Sequence, residues 1–149
     1  MSTERIVVQR SIADKFGKLL AETSEKVFGK DSPAPVLVSA GAVTKNKDLI
    51  SDAVSKGANV VFGDAKAGES NANSMRPVIV KDVKEGMSMY SQESFGPTVS
   101  LMVVDTEDDA VAQANDTEYG LTSAVFTSNL FRGLNVAKQI ETGYVPVAT

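Results

Sequence analysis

Chemistry in this chain has a short menu. The sequence contains neither histidine nor cysteine. That removes the commonest general base, the commonest transition-metal ligand, the thiol nucleophile, thiolate zinc sites and disulfides together. Reactive groups must therefore be carboxylates, Lys, Tyr, Ser or Thr, or oxygen ligands for a hard cation. One segment gathers several of them: residues 87–97, MSMYSQESFGP, in which Tyr90, Glu93 and Phe95 precede a Gly-Pro pair and a β-branched run. In the plain reading Gly96 and Pro97 build a turn, Phe95 packs and Glu93 caps or pairs. In the chemical reading the turn fixes an acid and an aromatic just before the chain enters a sheet, where loops carry function. Tyr119 is the other phenol in a loop. The acidic run Asp105, Glu107, Asp108 and Asp109 could bind a hard cation, or complement the dipole at the start of a helix. No G-x-G-x-x-G and no G-x-x-x-x-G-K-[ST] occurs, so neither common phosphate-cradling loop is available.

The elements that position these residues alternate between two periods. Residues 5–9 (RIVVQ), 59–62 (NVVF), 77–80 (PVIV), 98–104 (TVSLMVV), 122–127 (TSAVFT) and 144–147 read as strands. Between them, residues 12–28 carry apolar positions at helical spacing and stop at Gly29, with Ser11 as the expected N-cap. A second helix, capped by Thr44, carries Leu49, Ile50, Ala53 and Val54 and ends at Gly57. A third spans 107–115 behind Asp105 or Thr106, and a fourth runs from Ser128 or Asn129 to Glu141. Residues 63–76 and 87–97 read as irregular. Strand–helix alternation predicts an α/β fold, doubly wound, with a mostly parallel sheet and flanking helices, in a single domain over residues 1–149.

Composition narrows the function classes. With 42% hydrophobic and 23% charged residues and a net charge of −4, the chain reads as a globular domain. Nucleic-acid partners are not expected of so acidic a chain. No run of 18 apolar residues occurs, so no membrane partner is expected, and the lack of an apolar leader predicts a cytoplasmic location.

Six stretches together resemble the catalytic domain of NAD(P)-dependent aldehyde dehydrogenases, nearest to salicylaldehyde- and vanillin-dehydrogenase-like members. They are residues 1–9 (MSTERIVVQ), 11–16, 50–58 (ISDAVSKGA), 87–97 ending ESFGP, 114–126 (ANDTEYGLTSAVF) and 140–145 (IETGYV). The resemblance implies that Glu93 and Phe95 match positions on the nicotinamide ribose and beside the ring. Met1, Ser2 and Thr3 match positions flanking the nucleophile and the aldehyde pocket, and Arg5 matches a structural arginine. It also implies that the nucleophilic cysteine would fall directly before Met1, and that the cofactor domain, the general-base Glu and the oxyanion-holding Asn precede it. Residues 144–149 depart from the family's Val-x-x-Asn.

The expectation is thus a truncated catalytic domain that holds no cofactor of its own and lacks dehydrogenase activity. Three functional classes follow. One is recruitment to cofactor-independent cyclisation, isomerisation or other acid–base chemistry in a biosynthetic pathway. Tyr90, Glu93 and Tyr119 are then the candidate catalytic groups, and Phe95, Met1 and Thr3 contact a small apolar molecule. The second is a scaffold or pseudoenzyme partnering a full-length enzyme, and the third a gene remnant. Apolar faces freed from family partners predict a homo-oligomer.

Overall fold

The computed structural model describes residues 3–148, which pack as two compact units, one running through Val103 and the other from Val104. In the first, β1 (Arg5–Gln9) leads into α1 (Arg10–Phe28), followed by α2 (Ala40–Ser55), β2 (Asn59–Phe62), β3 (Val78–Lys81), the single-turn α3 (Ser88–Ser91) and β4 (Thr98–Val104). The four strands form one sheet in the order β1-β4-β3-β2. β3 and β4 run parallel, with Val78 opposite Thr98 and Lys81 opposite Leu101. β2 adds to β3 antiparallel, with a register shift between Val60 and Phe62.

Alternation along the strands divides the core into two layers. Ile79 and Leu101 join Val8 and Ala13, with Phe16 and Leu20 packed against them, so α1 covers one face. Val78, Val80 and Met102 join Val43, Leu49, Ile50 and Ala53 of α2 and Met87 and Met89 at α3 on the other. A sheet covered on both faces is why VIV and TVSLMVV are nearly continuous apolar runs rather than alternating ones. The expected α/β architecture, mostly parallel and flanked by helices, is the one observed.

Helix starts differ from the sequence reading in two places. α1 begins at Arg10 directly from the strand, with Gln9 as N-cap and no side-chain cap bond, so Ser11 lies inside the first turn. α2 begins four residues before Thr44. Its cap is Ser39, whose Oγ accepts from the Ala42 N–H at 3.1 Å, while the Thr44 hydroxyl donates back to Ala40 O. The Ala-Gly-Ala opening has no apolar stripe to betray that extra turn. Within 87–97, expected to be irregular, α3 forms one turn because the Asp52 carboxylate accepts from the Ser88 N–H at 2.7 Å. Arg76 ends the irregular stretch 63–76. It donates to the carbonyls of Phe28, Gly29 and Ser32 and pairs with Glu69, so it closes the carboxyl end of α1.

The second unit holds α4 (Glu107–Asn115), β5 (Val125–Phe126), α5 (Leu130–Ala137) and β6 (Val147–Ala148). The acidic run acts as a helix start: the Thr106 hydroxyl accepts from Asp109 N–H, and the Asp109 carboxylate accepts from Thr106 N–H. β5 and β6 pair in parallel and are shorter than the strands expected at 122–127 and 144–147. Bonds from Ser123 and Thr127 N–H to Tyr144 and Ala148 carbonyls nevertheless continue the ladder. Gly133 lets α5 approach this ribbon, since a Cβ there would stand 2.5 Å from Val147 Cγ1.

Candidate functional site

Residues 92–97 connect α3 to β4, and the consecutive residues Glu4 and Arg5 hold them and the end of α3. The Arg5 guanidinium lies over the Tyr90 ring, 5.0 Å from its centroid, and donates to the Tyr90 carbonyl. The Glu4 carboxylate takes the next part of the loop. Its Oε2 accepts from the Ser94 N–H at 2.9 Å and its Oε1 from the Phe95 N–H at 3.1 Å. Glu4 is itself fixed, because its carbonyl accepts from both the N–H and the hydroxyl of Ser100 in β4.

The turn is held from beneath as well. Ser94 is buried, and its hydroxyl donates to Thr98 O and accepts from Gly96 N–H. Asn46 of α2 is fully buried and donates from Nδ2 to Ala42 O and Ser94 O. Gly96 packs directly on that amide: a Cβ there would stand 2.4 Å from Nδ2 and 2.6 Å from Oδ1. Asn46 Oδ1 and Thr98 Oγ1 are buried without a hydrogen-bond partner among the described residues.

Phe95 lies between these contacts. Its φ is 51°, in the left-handed region that bulky side chains avoid, and its ring is 73% exposed. Glu93, two residues earlier, is half-buried. The turn therefore presents an aromatic residue to the outside with a carboxylate two residues before it in sequence.

Of the residues expected to form a site, Glu93 and Phe95 share this loop and Tyr90 lies in α3 just before it. Thr3 is exposed, and Met1 and Ser2 lie outside the described residues. Tyr119 belongs to the second unit, where it is 44% exposed and its N–H donates to the Thr117 hydroxyl. Two residues that shape the loop, Glu4 and Asn46, were not singled out in the sequence. Asn46 had a readable signal: it shares the helical spacing of Val43, Ile50 and Ala53, a polar side chain on an apolar face. Glu4 had none, because its partners are 90 residues away.

A separate concavity of about 600 Å³ lies on α2 and α3, lined by Thr44, Lys45, Asp48, Asp52, Ser88 and Gln92 among others. Tyr90, Glu93 and Phe95 do not line it. Asp52 is part of its lining; the Lys56 ammonium, 2.7 Å from the Asp52 carboxylate, and the Ser88 N–H hold the Asp52 pKa below its ordinary value.

An α/β unit covered on both sheet faces, with an ESFGP turn displaying an aromatic, defines the class. The chain belongs to the aldehyde dehydrogenase family, whose sequence profile matches residues 1–149. A benzaldehyde dehydrogenase of Bacillus subtilis is 40% identical over 152 residues, covering 99% of this chain and 30% of that protein. A vanillin dehydrogenase of Pseudomonas fluorescens is 36% identical, covering 96% and 30%. Among solved structures, the succinic semialdehyde dehydrogenase of Streptococcus pyogenes in complex with NADP+ superposes with a TM-score of 0.87 at 30% identity, over 96% of this chain and 32% of that one. The chain thus spans about a third of the length of the relatives it matches. Among the described residues, no helix is long and apolar enough to cross a membrane.

Proposed function

We propose that these residues form the cofactor-facing part of an NAD(P)-dependent aldehyde dehydrogenase catalytic domain. The observation that carries this reading is the Phe95 turn. An exposed aromatic held at positive φ costs on the order of 1–3 kcal/mol, and here the half-buried Glu4 and the buried Asn46, from distant parts of the chain, hold the turn around it. Such strain is stored where the position of the side chain matters.

The donor set fits the nicotinamide end of a dinucleotide. The Glu93 carboxylate can accept hydrogen bonds from ribose hydroxyls, and the Phe95 ring offers a flat apolar wall that excludes water beside a planar ring. When bound, the cofactor supplies the hydride acceptor. The pyrophosphate end finds no glycine-rich loop in these residues. With no cysteine among the 149 residues, thiol attack on the aldehyde is not their task. They orient the cofactor.

Cofactor-independent acid–base chemistry at Tyr90, Glu93 and Tyr119 has less support. The concavity on α2 and α3 is lined by none of the three. A fusion separates the readings. Residues 1–149 replace the matching segment of the B. subtilis relative, and cofactor reduction is followed with benzaldehyde. Phe95→Ala and Glu93→Gln each raise the KM for the cofactor about tenfold. Unchanged KM values in a folded, active fusion refute the proposal, and substrate turnover by the 149-residue chain alone, lost in Glu93→Gln, supports the other reading.

A further inference from the structure

Glu4 lies outside the loop, yet its carboxylate binds the loop and its carbonyl binds the strand that follows. Its two carboxylate oxygens take the consecutive N–H groups of Ser94 and Phe95 at 2.9 and 3.1 Å. Its carbonyl takes the Ser100 N–H at 3.0 Å and hydroxyl at 2.9 Å. Successive N–H groups converging on one anion arise when the backbone passes through a positive-φ residue, and Phe95 is that residue. The carboxylate therefore selects the strained conformer: without an anion at this point, two N–H groups converge on nothing and the left-handed state loses its compensation. Asn46 grips the opposite side of the same turn, through Ser94 O.

We propose that Glu4 is a positioning residue for the cofactor site: its carboxylate holds Phe95 in the left-handed conformation that points the ring outward and sets the adjoining Glu93 beside it. This rests on the reading of the loop as the cofactor-facing wall. The consequence is quantitative. If loss of the carboxylate leaves one turn in ten in the competent conformation, apparent cofactor affinity falls about tenfold, while turnover at saturating cofactor stays within about twofold.

Two measurements test it. In the 149-residue chain, amide hydrogen exchange at Ser94 and Phe95 speeds up in Glu4→Ala, while the amides of Val78 and Val80 in β3 keep their protection. Glu4→Gln retains one acceptor oxygen and protects one of the two amides; it carries the test if the alanine variant unfolds. In the fusion enzyme, Glu4→Ala raises the cofactor KM about tenfold with kcat little changed, and this effect disappears in a Phe95→Ala background. Unchanged exchange at Ser94 and Phe95 overturns the clamp itself. Faster exchange with an unmoved KM, when Phe95→Ala and Glu93→Gln do raise it, overturns the positioning role alone. If those two variants leave KM unmoved, the reading of the site fails and the role of Glu4 toward the cofactor falls with it, while exchange still reports the clamp.

Discussion

Replacing Gly96 by Ala should damage the fold for one specific reason, and a second substitution should repair it. Gly96 does not occupy a positive-φ conformation, so alanine is acceptable to the backbone there. The obstacle is the Asn46 side chain: the new Cβ would stand 2.4 Å from Nδ2, 2.6 Å from Oδ1 and 2.7 Å from Cγ. Asn46 is fully buried and bonded to Ala42 O and Ser94 O, so it cannot swing away without breaking both bonds. Overpacking of this kind costs about 3 kcal/mol. Asn46→Ala removes two hydrogen bonds worth about 1 kcal/mol each, but also removes an oxygen that is buried without a partner among the described residues, so its own cost is about 1 kcal/mol. It clears all three clashing atoms. The double variant should therefore be destabilised by only about 1–2 kcal/mol, well short of the additive sum of about 4 kcal/mol. Urea unfolding followed by far-ultraviolet circular dichroism and tyrosine fluorescence gives the four stabilities. A double variant within about 0.5 kcal/mol of the sum would show that the contact between Asn46 and Gly96 is not what makes position 96 intolerant.

Other perturbations address separate parts of the molecule. Arg76→Ala removes the side-chain donor shared by the carbonyls of Phe28, Gly29 and Ser32, of which Gly29 O keeps the Ser32 N–H, and should lower stability by about 2 kcal/mol; Arg76→Lys should not restore it, because one ammonium cannot span all three, as urea midpoints will show. Thr106→Ala breaks the reciprocal cap of α4 and should cost about 1 kcal/mol, read from the melting of the second unit. Asp52 has its pKa lowered in the folded state by Lys56 and Ser88, so its stabilisation is present above the unfolded value of 3.8 and is lost as pH falls through the lower folded value. The stability gap between wild type and Asp52→Asn should accordingly narrow on acidification from pH 5 toward pH 2, and a gap that widens would reverse the sign.

Much of this architecture was readable because the sheet is covered on both sides. Runs such as VIV and TVSLMVV have no other comfortable place, and Gly57, at φ 100°, marks the end of α2 as its position suggests. The errors fell where local chemistry is ambiguous. Ser11 and Thr44 are good caps by type, yet the strand runs straight into α1 and a different serine starts α2. The regular strands of the second unit are two residues long, shorter than TSAVFT suggests, although N–H bonds from Ser123, Val125 and Thr127 carry the pairing across that run. At the site, Glu93 and Phe95 stood out through the turn that follows them. Their supports differ: Asn46 is legible as a polar residue at the helical spacing of the apolar face of α2, whereas Glu4 reaches the loop across 90 residues and leaves no periodic trace.

The most direct measurement is a crystal structure of the fusion enzyme with its cofactor bound. The account predicts the Glu93 carboxylate within about 3 Å of a nicotinamide-ribose hydroxyl. The Phe95 ring should lie against the nicotinamide, with Glu4 still accepting from both the Ser94 and Phe95 N–H groups. A cofactor seated elsewhere, with Glu93 and Phe95 both facing solvent, would contradict it.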